Sequence, residues 1–456
     1  MKVHSGSVLP VGAERRRAKE TAAHNLLIRG GKRLSGEIVI SGAKNAVLKL
    51  MAAALLTKEP CVIRNVPVIG DVFNMIEVLE GLGARCALDG DVLAVEAKEL
   101  IPVAPEGPVR EMRASVQVMG PLLARLGEVR IAQPGGCAIG DRPVDLHLAG
   151  LTAMGAEIEE RHGFIHAKAG RLRGAEIHFD IPSVGATENI MMAAALAEGE
   201  TVIRNAAREP EIIEVQNFIN CLGGRVRGAG TDTIRITGVG GPLKGADYTV
   251  IPDRIEAGTM MVAVAAAGGD VVLRNVIVEH NELLVAKLAE AGVLTYVDGE
   301  DVRVVSAAGS LKPLQIRTQP YPGYPTDMQP QIMALLTQAD GTSIVTETVY
   351  SSRFKHVDEL RRMGADITVE GRVAVVRGPR ALTGARVEAS DLRAGAALVI
   401  AALAAEGDTV IEGVRHIDRG YENLAGKLRG VDADVSLVPA GEAYALHAEL
   451  VPDGRA

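Results

Sequence analysis

Residues 41–56 read SGAKNAVLKLMAAALL, a polar turn followed by a run that is apolar on nearly every side. A helix with apolar residues all round is typically enclosed in a core, because none of its sides favours contact with water. The β-branched stretch Glu37 to Ser41 precedes this run, and the segment Val72 to Leu82, charged on one side, follows it and ends at Gly83. The stretch therefore predicts a unit with a strand, one buried helix and one helix that faces water.

The same pattern recurs six times along the chain, about every 70 residues. Each copy has a helix opening and a closing glycine. The closing glycines are Gly83, Gly155, Gly223, Gly292, Gly364 and, in a less regular copy, Gly430. Self-similarity at a fixed period marks a repeat architecture, in which a single unit cannot bury its apolar face alone.

Six repeats predict two α/β domains of three repeats each, with the core helices inside and the sheets outside. A chain of 456 residues with 47% apolar residues is long enough for two or three such cores. No low-complexity linker separates the halves, so we expect two short crossings, near Ala43 and between Thr249 and Asp253. Residues 1–25 include Arg15 to Arg17 and no apolar run, which predicts a disordered arm.

Charge and composition argue against several classes of protein. A formal net charge of −8 and 3% aromatic residues disfavour nucleic-acid binding, which needs a basic surface and stacking side chains. No apolar run reaches the roughly 18 residues of a membrane span, so we expect a soluble, cytoplasmic protein. The cysteines lack metal-ligand and disulfide spacing, and there is no P-loop, dinucleotide fingerprint or zinc-protease motif. We therefore expect neither a metal nor a cofactor.

Charged and polar residues gather at the openings of the predicted core helices. They are Lys44, Asn45, Arg113, Glu188, Asp253, Arg254, Asp327, Asp391 and Arg393. Equivalent positions of stacked repeats lie on one face, and a helix N-terminus offers free N–H donors and partial positive charge. The pattern predicts a cationic face that attracts anions. Capping alone is the alternative for Asp253, Asp327 and Asp391, because Asp is a common N-cap residue, but capping does not account for an arginine.

One segment has no counterpart in the other copies: residues 134–146, which read PGGCAIGDRPVDL. A guanidinium such as that of Arg142 favours a neighbouring thiolate, which predicts an acid, base or nucleophile role for Cys137. Cys61, Cys86 and Cys221 lie in strand or helix patterns and are interpreted as core residues. Several cations in turns and helix openings together indicate a ligand with phosphate and carboxylate groups. These cations are Lys44, Arg113, Arg142, Arg393 and Arg419.

Six blocks of sequence follow one another in a specific order. They are SGAKN (41–45), GCAIGDRPVDL (136–146), SVGATEN (183–189), REPEI (208–212), PTDMQ (325–329) and IDRGYE (417–422). From about Leu26 to Ala445 the chain resembles the UDP-N-acetylglucosamine 1-carboxyvinyltransferases, enolpyruvyl transferases related to the 3-phosphoshikimate 1-carboxyvinyltransferases. The resemblance implies a two-domain inside-out α/β barrel, or prism, with three βαβαββ repeats per domain. It also implies that 26–43 with 252–450 forms domain 1 and that 44–251, with Cys137, forms domain 2.

The resemblance further implies a reaction. Members of the family transfer the enolpyruvyl group of phosphoenolpyruvate to the 3′-hydroxyl of UDP-N-acetylglucosamine by addition and then elimination of phosphate, the first committed step of peptidoglycan precursor synthesis. By similarity Cys137 is the proton donor, and the thiol that fosfomycin attacks, while Asp327 is the base at the sugar hydroxyl. The implied phosphoenolpyruvate contacts are Lys44, Arg142 and Arg419 at the phosphate, Arg393 at the carboxylate and Asn45 at the tetrahedral centre. The implied UDP-sugar contacts are Arg113, Arg142, Pro143, Val144, Asp145, Leu146, Ser183, Val184, Gly185, Asp327 and Val349.

The chain departs from the family pattern at two places. Ile181 and Pro182 stand where many members have a lysine shortly before the Ser-Val-Gly turn, and the sixth repeat has Gly430-Val431-Asp432 in place of Leu-Gly-Ala. Two alternatives stay open. An enolpyruvyl transferase of the same fold would act on shikimate 3-phosphate or a nucleoside, although the shikimate enzyme lacks the Cys137 loop. A catalytically inactive repeat scaffold would release no phosphate.

Overall fold

A computed structural model describes residues 24–135, 144–307 and 309–440. Contacts divide these residues into two units, one formed by 42–135 with 144–251 and the other by 24–41 with 252–440. We propose that these units are the two predicted domains. Residues 1–23 of the predicted N-terminal arm and the site residues Cys137, Arg142 and Pro143 lie outside the described residues. The last two residues of that predicted arm, His24 and Asn25, are not disordered but begin the first strand.

Strands and helices are interspersed along the described residues. The strands are β1 (His24–Arg29), β2 (Leu34–Val39), β3 (Cys61–Arg64), β4 (Arg85–Asp89), β5 (Val92–Glu96), β6 (Glu128–Ala132), β7 (Glu157–Arg161), β8 (Phe164–Lys168), β9 (Glu176–His178), β10 (Glu200–Arg204), β11 (Val226–Arg227), β12 (Thr233–Thr237), β13 (Asp247–Thr249), β14 (Gly269–Arg274), β15 (Leu294–Asp298), β16 (Asp301–Ser306), β17 (Gln315–Arg317), β18 (Gly341–Thr346), β19 (Asp366–Glu370), β20 (Val373–Gly378), β21 (Arg386–Glu388), β22 (Asp408–Glu412) and β23 (Asp434–Pro439).

The helices of the described residues divide equally between the units. Those of the first unit are α1 (Lys44–Ala53), α2 (Gly70–Gly81), α3 (Glu106–Glu111), α4 (Met119–Leu126), α5 (Asp145–Ala153), α6 (Val184–Ala195) and α7 (Pro210–Cys221). Those of the second unit are α8 (Arg254–Ala267), α9 (Glu282–Glu290), α10 (Gln329–Leu336), α11 (Val357–Arg362), α12 (Leu392–Ala404), α13 (Arg415–Asp418) and α14 (Leu424–Arg429). Short 3₁₀ turns cover Ala54–Leu56, Arg113–Val118, Val278–Asn281 and Thr326–Met328.

Six small sheets repeat one topology, three in each unit. Five of them have four strands, in the orders β9-β10-β12-β11, β13-β3-β5-β4, β2-β14-β16-β15, β17-β18-β20-β19 and β21-β22-β1-β23. In each, the first two strands are parallel and the remaining neighbours antiparallel. The sixth sheet, β6-β8-β7, has a single parallel bridge, Val103 to Arg130, in place of its first strand. The shared order confirms the prediction of six repeats.

Strand β1 completes the last repeat of the chain. Leu26 on β1 faces Ile411 of β22 on one side and Leu437 of β23 on the other, both in antiparallel register. This position is the one that β5 occupies between β3 and β4. The N-terminal strand therefore belongs with the C-terminal half, as the family resemblance implies.

The apolar helices form the interior of each unit, as residues 41–56 predict for the first repeat. All residues of α8 and α10 are buried, and so are Arg393 to Leu403 of α12 and Ala46 to Ala53 of α1. Burying a leucine such as Leu50 or Leu398 contributes about 1.5–3 kcal/mol relative to exposure. Hydrophobic burial of this kind keeps the helices central and leaves the sheets around them.

The closing residue of each repeat has a left-handed backbone. Five of the predicted glycines, which are Gly83, Gly155, Gly223, Gly292 and Gly364, have φ between 94° and 99°. Glycine is favoured there because it has no Cβ to clash. In the sixth repeat the prediction of Gly430 is wrong, since its φ is −61°. Asp432, with φ 68°, takes the left-handed position instead.

Glycine is also required where the chain first passes between the units. A Cβ on Gly42 would lie 1.7 Å from the backbone oxygen of Asn65. On either side of it, Ala43 N donates to Ile251 O and Asp253 N donates to Ser41 O, each at 2.8 Å. The two passages of the chain are thus joined by backbone hydrogen bonds, and only glycine fits against Asn65.

The interpretation of the described cysteines as core residues is only partly right. Cys61 is buried and Cys86 half-buried, but Cys221 is exposed because it ends the outer helix α7. Burial raises the pKa of the Cys61 thiol to about 11 and that of Cys86 to about 12. Neither thiol is therefore a reactive thiolate near neutral pH.

Candidate functional site

Lys44 and Asn45 are the first two residues of α1, as the sequence predicts. The Lys44 ammonium lies 2.9 Å from the carboxylate of Asp71, whose side chain is only 2% exposed. Asp71 is in the first turn of α2, so two helix openings meet at this ion pair. The arrangement holds a cation beside free N–H groups at a helix N-terminus, which is a favourable place for an anion.

Lys49, one turn further along α1, supports this opening from inside the core. Its ammonium donates to the backbone oxygen of Asn45 at 2.5 Å and lies 3.6 Å from the Glu188 carboxylate. Burial raises the pKa of Glu188 to about 8, although the charge of Lys49 opposes the shift. Glu188 is fully buried, so the prediction that it lies on an anion-binding face is wrong. Its carboxylate instead stabilises the Lys49 ammonium.

The opening of α6 carries the Ser-Val-Gly turn. Ser183 is the N-cap residue, and its hydroxyl accepts from Ala186 N at 3.3 Å. Gln117 Nε2 donates to Gly185 O at 3.1 Å, and a Cβ on Gly185 would lie 3.0 Å from His147 Nε2. Two further elements of this unit begin at other predicted site residues. Val144 precedes α5, which Asp145 and Leu146 begin, and Arg113 begins a 3₁₀ turn.

In the second unit the structure brings two predicted residues, Asp327 and Arg393, into direct contact. Arg393 Nη2 lies 3.0 Å from Asp327 Oδ2, and Arg353 Nη2 lies 2.7 Å from Asp327 Oδ1. The two guanidinium side chains are 5% and 2% exposed, whereas that of Asp327 is 29% exposed. One carboxylate is therefore held between two buried arginines and is still open to solvent.

The alternative that Asp327 only caps a helix is wrong. Asp327 lies inside a 3₁₀ turn whose N-cap residue is Pro325, and that turn has no side-chain cap. Asp253 and Asp391, in contrast, do cap their helices: Asp253 accepts from Ile255 N and Glu256 N, and Asp391 accepts from Arg393 N and Ala394 N.

Two buried guanidinium groups define the chemistry of Asp327. Charge-assisted hydrogen bonds favour the ionised carboxylate, which is the form that accepts a proton. Burial by itself lowers the pKa of Arg393, but the charge of Asp327 together with the contributions of Tyr421 and Asp253 outweighs it, so the pKa of Arg393 lies above its ordinary value. Arg393 thus remains a cation even in the core, and Asp327 can serve as a base for a hydroxyl group.

Sequence reasoning missed Arg353. It lies in the loop after β18, away from any helix opening, and its Nε also donates to Thr326 O at 3.2 Å. The available signal was its position shortly after Val349, which the family resemblance assigns to the UDP-sugar site. Asp71 was missed as well, because a carboxylate in the first turn of an outer helix is ordinary capping chemistry.

Val349 and Arg419 lie in the second unit, Val349 in the loop after β18 and Arg419 at the end of a helix. Val349 N donates to Glu347 Oε1 at 2.7 Å, and the buried Glu347 also accepts from the hydroxyls of Thr318 and Thr326. Arg419 follows α13 directly and is half-buried. The carboxylate of Glu347 thereby fixes the loop of Val349 to the turn that carries Asp327.

His356 lies at the end of the loop that carries Arg353, and it predicts a pH dependence of stability. Its Nδ1 lies 3.2 Å from Arg353 O, and burial lowers its pKa to about 4. Between an unfolded pKa of about 6.5 and the folded value, the unfolded chain binds more protons, so stability falls as the pH falls. We expect His356 to account for a loss of about 2 kcal/mol in the free energy of unfolding between pH 7 and pH 5.

Denaturant unfolding of the native protein and of His356→Gln at both pH values measures this loss. Glu214 and Asp418, whose pKa values burial raises to about 6, titrate in both proteins and cancel in the difference. An equal loss in both proteins contradicts the prediction.

The described residues contain neither a metal-binding group of side chains nor a membrane-spanning helix. Across 24–135, 144–307 and 309–440, no group of three or more His, Cys, Asp or Glu side chains could hold a metal ion. No helix in that part of the chain is both long and apolar enough to span a membrane.

Comparison with known proteins identifies relatives over nearly the whole chain. The family model for EPSP synthase (3-phosphoshikimate 1-carboxyvinyltransferase) matches residues 28–428. UDP-N-acetylglucosamine 1-carboxyvinyltransferase 1 of Carboxydothermus hydrogenoformans is 56% identical over 416 residues, which cover 91% of this chain and 98% of the relative. The protein of the same name from Halalkalibacterium halodurans is 53% identical over 418 residues, covering 91% of this chain and 94% of the relative.

Solved structures share the fold. The enolpyruvyl transferase NikO from Streptomyces tendae superposes with a TM-score of 0.83 at 26% identity, covering 91% of this chain and 99% of that chain. An EPSP synthase from Acinetobacter baumannii superposes with a TM-score of 0.70 at 18% identity, with the same coverage. The second likeness concerns the fold alone.

Proposed function

This chain belongs to the UDP-N-acetylglucosamine 1-carboxyvinyltransferase family of enolpyruvyl transferases, and from this membership we propose its reaction. It transfers the enolpyruvyl group of phosphoenolpyruvate to the 3′-hydroxyl of UDP-N-acetylglucosamine and releases phosphate. The identity of 56% to a relative named for this reaction carries the proposal. The product is a precursor of peptidoglycan, and a cytoplasmic location suits two charged substrates that do not cross membranes.

The first half of the proposed reaction is an addition. The Cys137 thiol gives its proton to C3 of phosphoenolpyruvate, so that C2 becomes oxocarbenium-like. The 3′-oxygen of the sugar attacks C2, and Asp327 takes the hydroxyl proton. The pair of buried arginines at Asp327, Arg353 and Arg393, supports this assignment because it keeps the carboxylate ionised before the hydroxyl arrives.

The second half is an elimination. C3 loses a proton, which the Cys137 thiolate can accept, and the bond from C2 to the phosphate oxygen breaks. The electron pair of that bond leaves with phosphate, and the C2–C3 double bond forms again.

Side-chain cations stabilise the anions at both stages. We assign Lys44, Arg142 and Arg419 to the phosphate of phosphoenolpyruvate, Arg393 to its carboxylate and Asn45 to the tetrahedral centre. The Lys44 ammonium at the opening of α1 supports its assignment, because that helix end already favours an anion. The UDP-sugar contacts proposed for Arg113, the Val144 to Leu146 segment and the Ser183 to Gly185 turn lie at comparable openings in the same unit.

The reaction is tested by incubating the protein with phosphoenolpyruvate and UDP-N-acetylglucosamine. We expect stoichiometric phosphate release and, by mass spectrometry, a nucleotide product heavier by one enolpyruvyl group. Fosfomycin should stop the release by alkylating Cys137. Parallel incubations with shikimate 3-phosphate or a nucleoside as the acceptor should yield no product. Phosphate release with one of those acceptors alone points to the related enzymes, and no release with any acceptor points to an inactive scaffold.

A further inference from the structure

The hydroxyl of Tyr421 lies where the three core helices of the second unit come together. It is 2.9 Å from Thr259 Oγ1 on α8, 3.4 Å from Gln331 Nε2 on α10 and 3.2 Å from Arg393 Nη1 on α12. Tyr421 itself is 1% exposed. A buried hydroxyl with partners on three helices is a junction of the repeats, and its hydrogen bonds are strong because water is excluded.

The hydrogens that each group carries determine the direction of these hydrogen bonds. The Thr259 hydroxyl gives its single hydrogen to Ile255 O at 2.7 Å, so Thr259 must accept from Tyr421. The guanidinium of Arg393 and the amide nitrogen of Gln331 only donate. The Tyr421 hydrogen therefore points to Thr259, and the Tyr421 oxygen accepts from Arg393 and Gln331. Gln331 Nε2 also donates to Thr259 Oγ1, at 3.2 Å.

Both donors to Tyr421 also hold Asp327. Arg393 binds the Asp327 carboxylate through its other terminal nitrogen, at 3.0 Å. Gln331 Nε2 donates to the backbone oxygen of Asp327 at 2.8 Å. The Tyr421 hydroxyl thus orients both Arg393, which binds the side chain of Asp327, and Gln331, which binds its backbone.

We propose that Tyr421 is a positioning residue for the base Asp327, acting through Arg393 and Gln331, an inference that rests on the proposed function. Tyr421 is buried, so its influence on Asp327 passes through its neighbours. It sets the angle at which Arg393 presents its second nitrogen to the carboxylate. An error of about 1 Å in the placement of a reacting group can cost about 100-fold in rate.

The test is Tyr421→Phe, assayed with phosphoenolpyruvate and UDP-N-acetylglucosamine. We expect kcat to fall about 10- to 100-fold, with the KM for the UDP-sugar changed less than about threefold. Tyr324→Phe is the matched control. Tyr324 is also buried in this unit, and among the described residues its hydroxyl has no hydrogen-bond partner. We expect the control to keep the native kcat.

A double variant separates positioning from a general loss of structure. If Tyr421 acts through Asp327, then Tyr421→Phe has no further effect on kcat when Asp327 is already Asn. Native kcat in Tyr421→Phe overturns the inference, and so does an undiminished effect in the Asp327→Asn background. Neither outcome affects the proposed function, which fails only if the native protein is inactive in the same assay.

If Tyr421→Phe does not fold, Thr259→Val tests whether the Tyr421 hydroxyl positions Asp327. Valine has the shape of threonine but cannot accept a hydrogen bond, so the Tyr421 hydroxyl loses the acceptor of its hydrogen. The hydroxyl then turns to find another acceptor, and its oxygen no longer faces Arg393 in the native direction. A fall in kcat then supports the inference, and native kcat overturns it.

Discussion

Replacing Asp327 by Asn lowers kcat by about 10²- to 10⁴-fold, the usual contribution of a general base. The amide is neutral and cannot take the hydroxyl proton, and its NH2 group faces one of two guanidinium donors, Arg353 or Arg393. Binding of the UDP-sugar remains measurable, because the rest of its site is unchanged. Phosphate release gives kcat, and calorimetric titration of UDP-N-acetylglucosamine gives the affinity.

The control for this prediction is Asp358→Asn. Asp358 also pairs with an arginine, Arg361 at 2.8 Å, but lies on the outer helix α11 and is 80% exposed. It should keep native kcat, since a surface ion pair contributes about 1 kcal/mol or less. Native turnover in Asp327→Asn would remove Asp327 as the base.

Replacing Lys44 by Met has two large effects with separate causes. Turnover falls about 10²- to 10³-fold, because the transition state loses a cation that offsets phosphate charge. The free energy of unfolding falls by about 3 kcal/mol, because the buried Asp71 carboxylate loses the ammonium 2.9 Å away. Phosphate release and denaturant unfolding measure the two effects.

A second substitution distinguishes these causes. Lys44→Met with Asp71→Asn removes both charges, so most of the stability returns while turnover stays low. Lys32→Met is the control, because Lys32 pairs with Asp434 at 3.3 Å on the surface and should change neither quantity. If the double variant regains turnover, Lys44 acts only through Asp71 and binds no phosphate.

Several elements of the fold follow from local sequence patterns. The apolar run at 41–56 predicts a buried helix, and α1 is buried. The closing glycines of five repeats, such as Gly83, are left-handed as expected. These features depend on residues a few positions apart, so the local sequence determines them. Gly430 shows the limit: the left-handed residue is Asp432, which a search for glycine overlooks.

The candidate site was only partly predictable for the same reason. Position at a helix opening identified Lys44, Asp327 and Arg393, and the family resemblance supplied Val349. The same rule misplaced Glu188, which burial turns into a support for Lys49. No rule based on helix openings finds Arg353, which lies in a loop.

The sequence by itself determined the sixfold repeat, the enclosed helices and the family to which the chain belongs. Only the tertiary structure decided which charges meet: Arg393 with Asp327, 66 residues apart, and Tyr421 with Thr259, 162 residues apart. The physical reason is the range of the forces. Helix burial and turns are set by neighbours along the chain, whereas a buried ion pair or hydroxyl depends on distances that appear only after the repeats have packed.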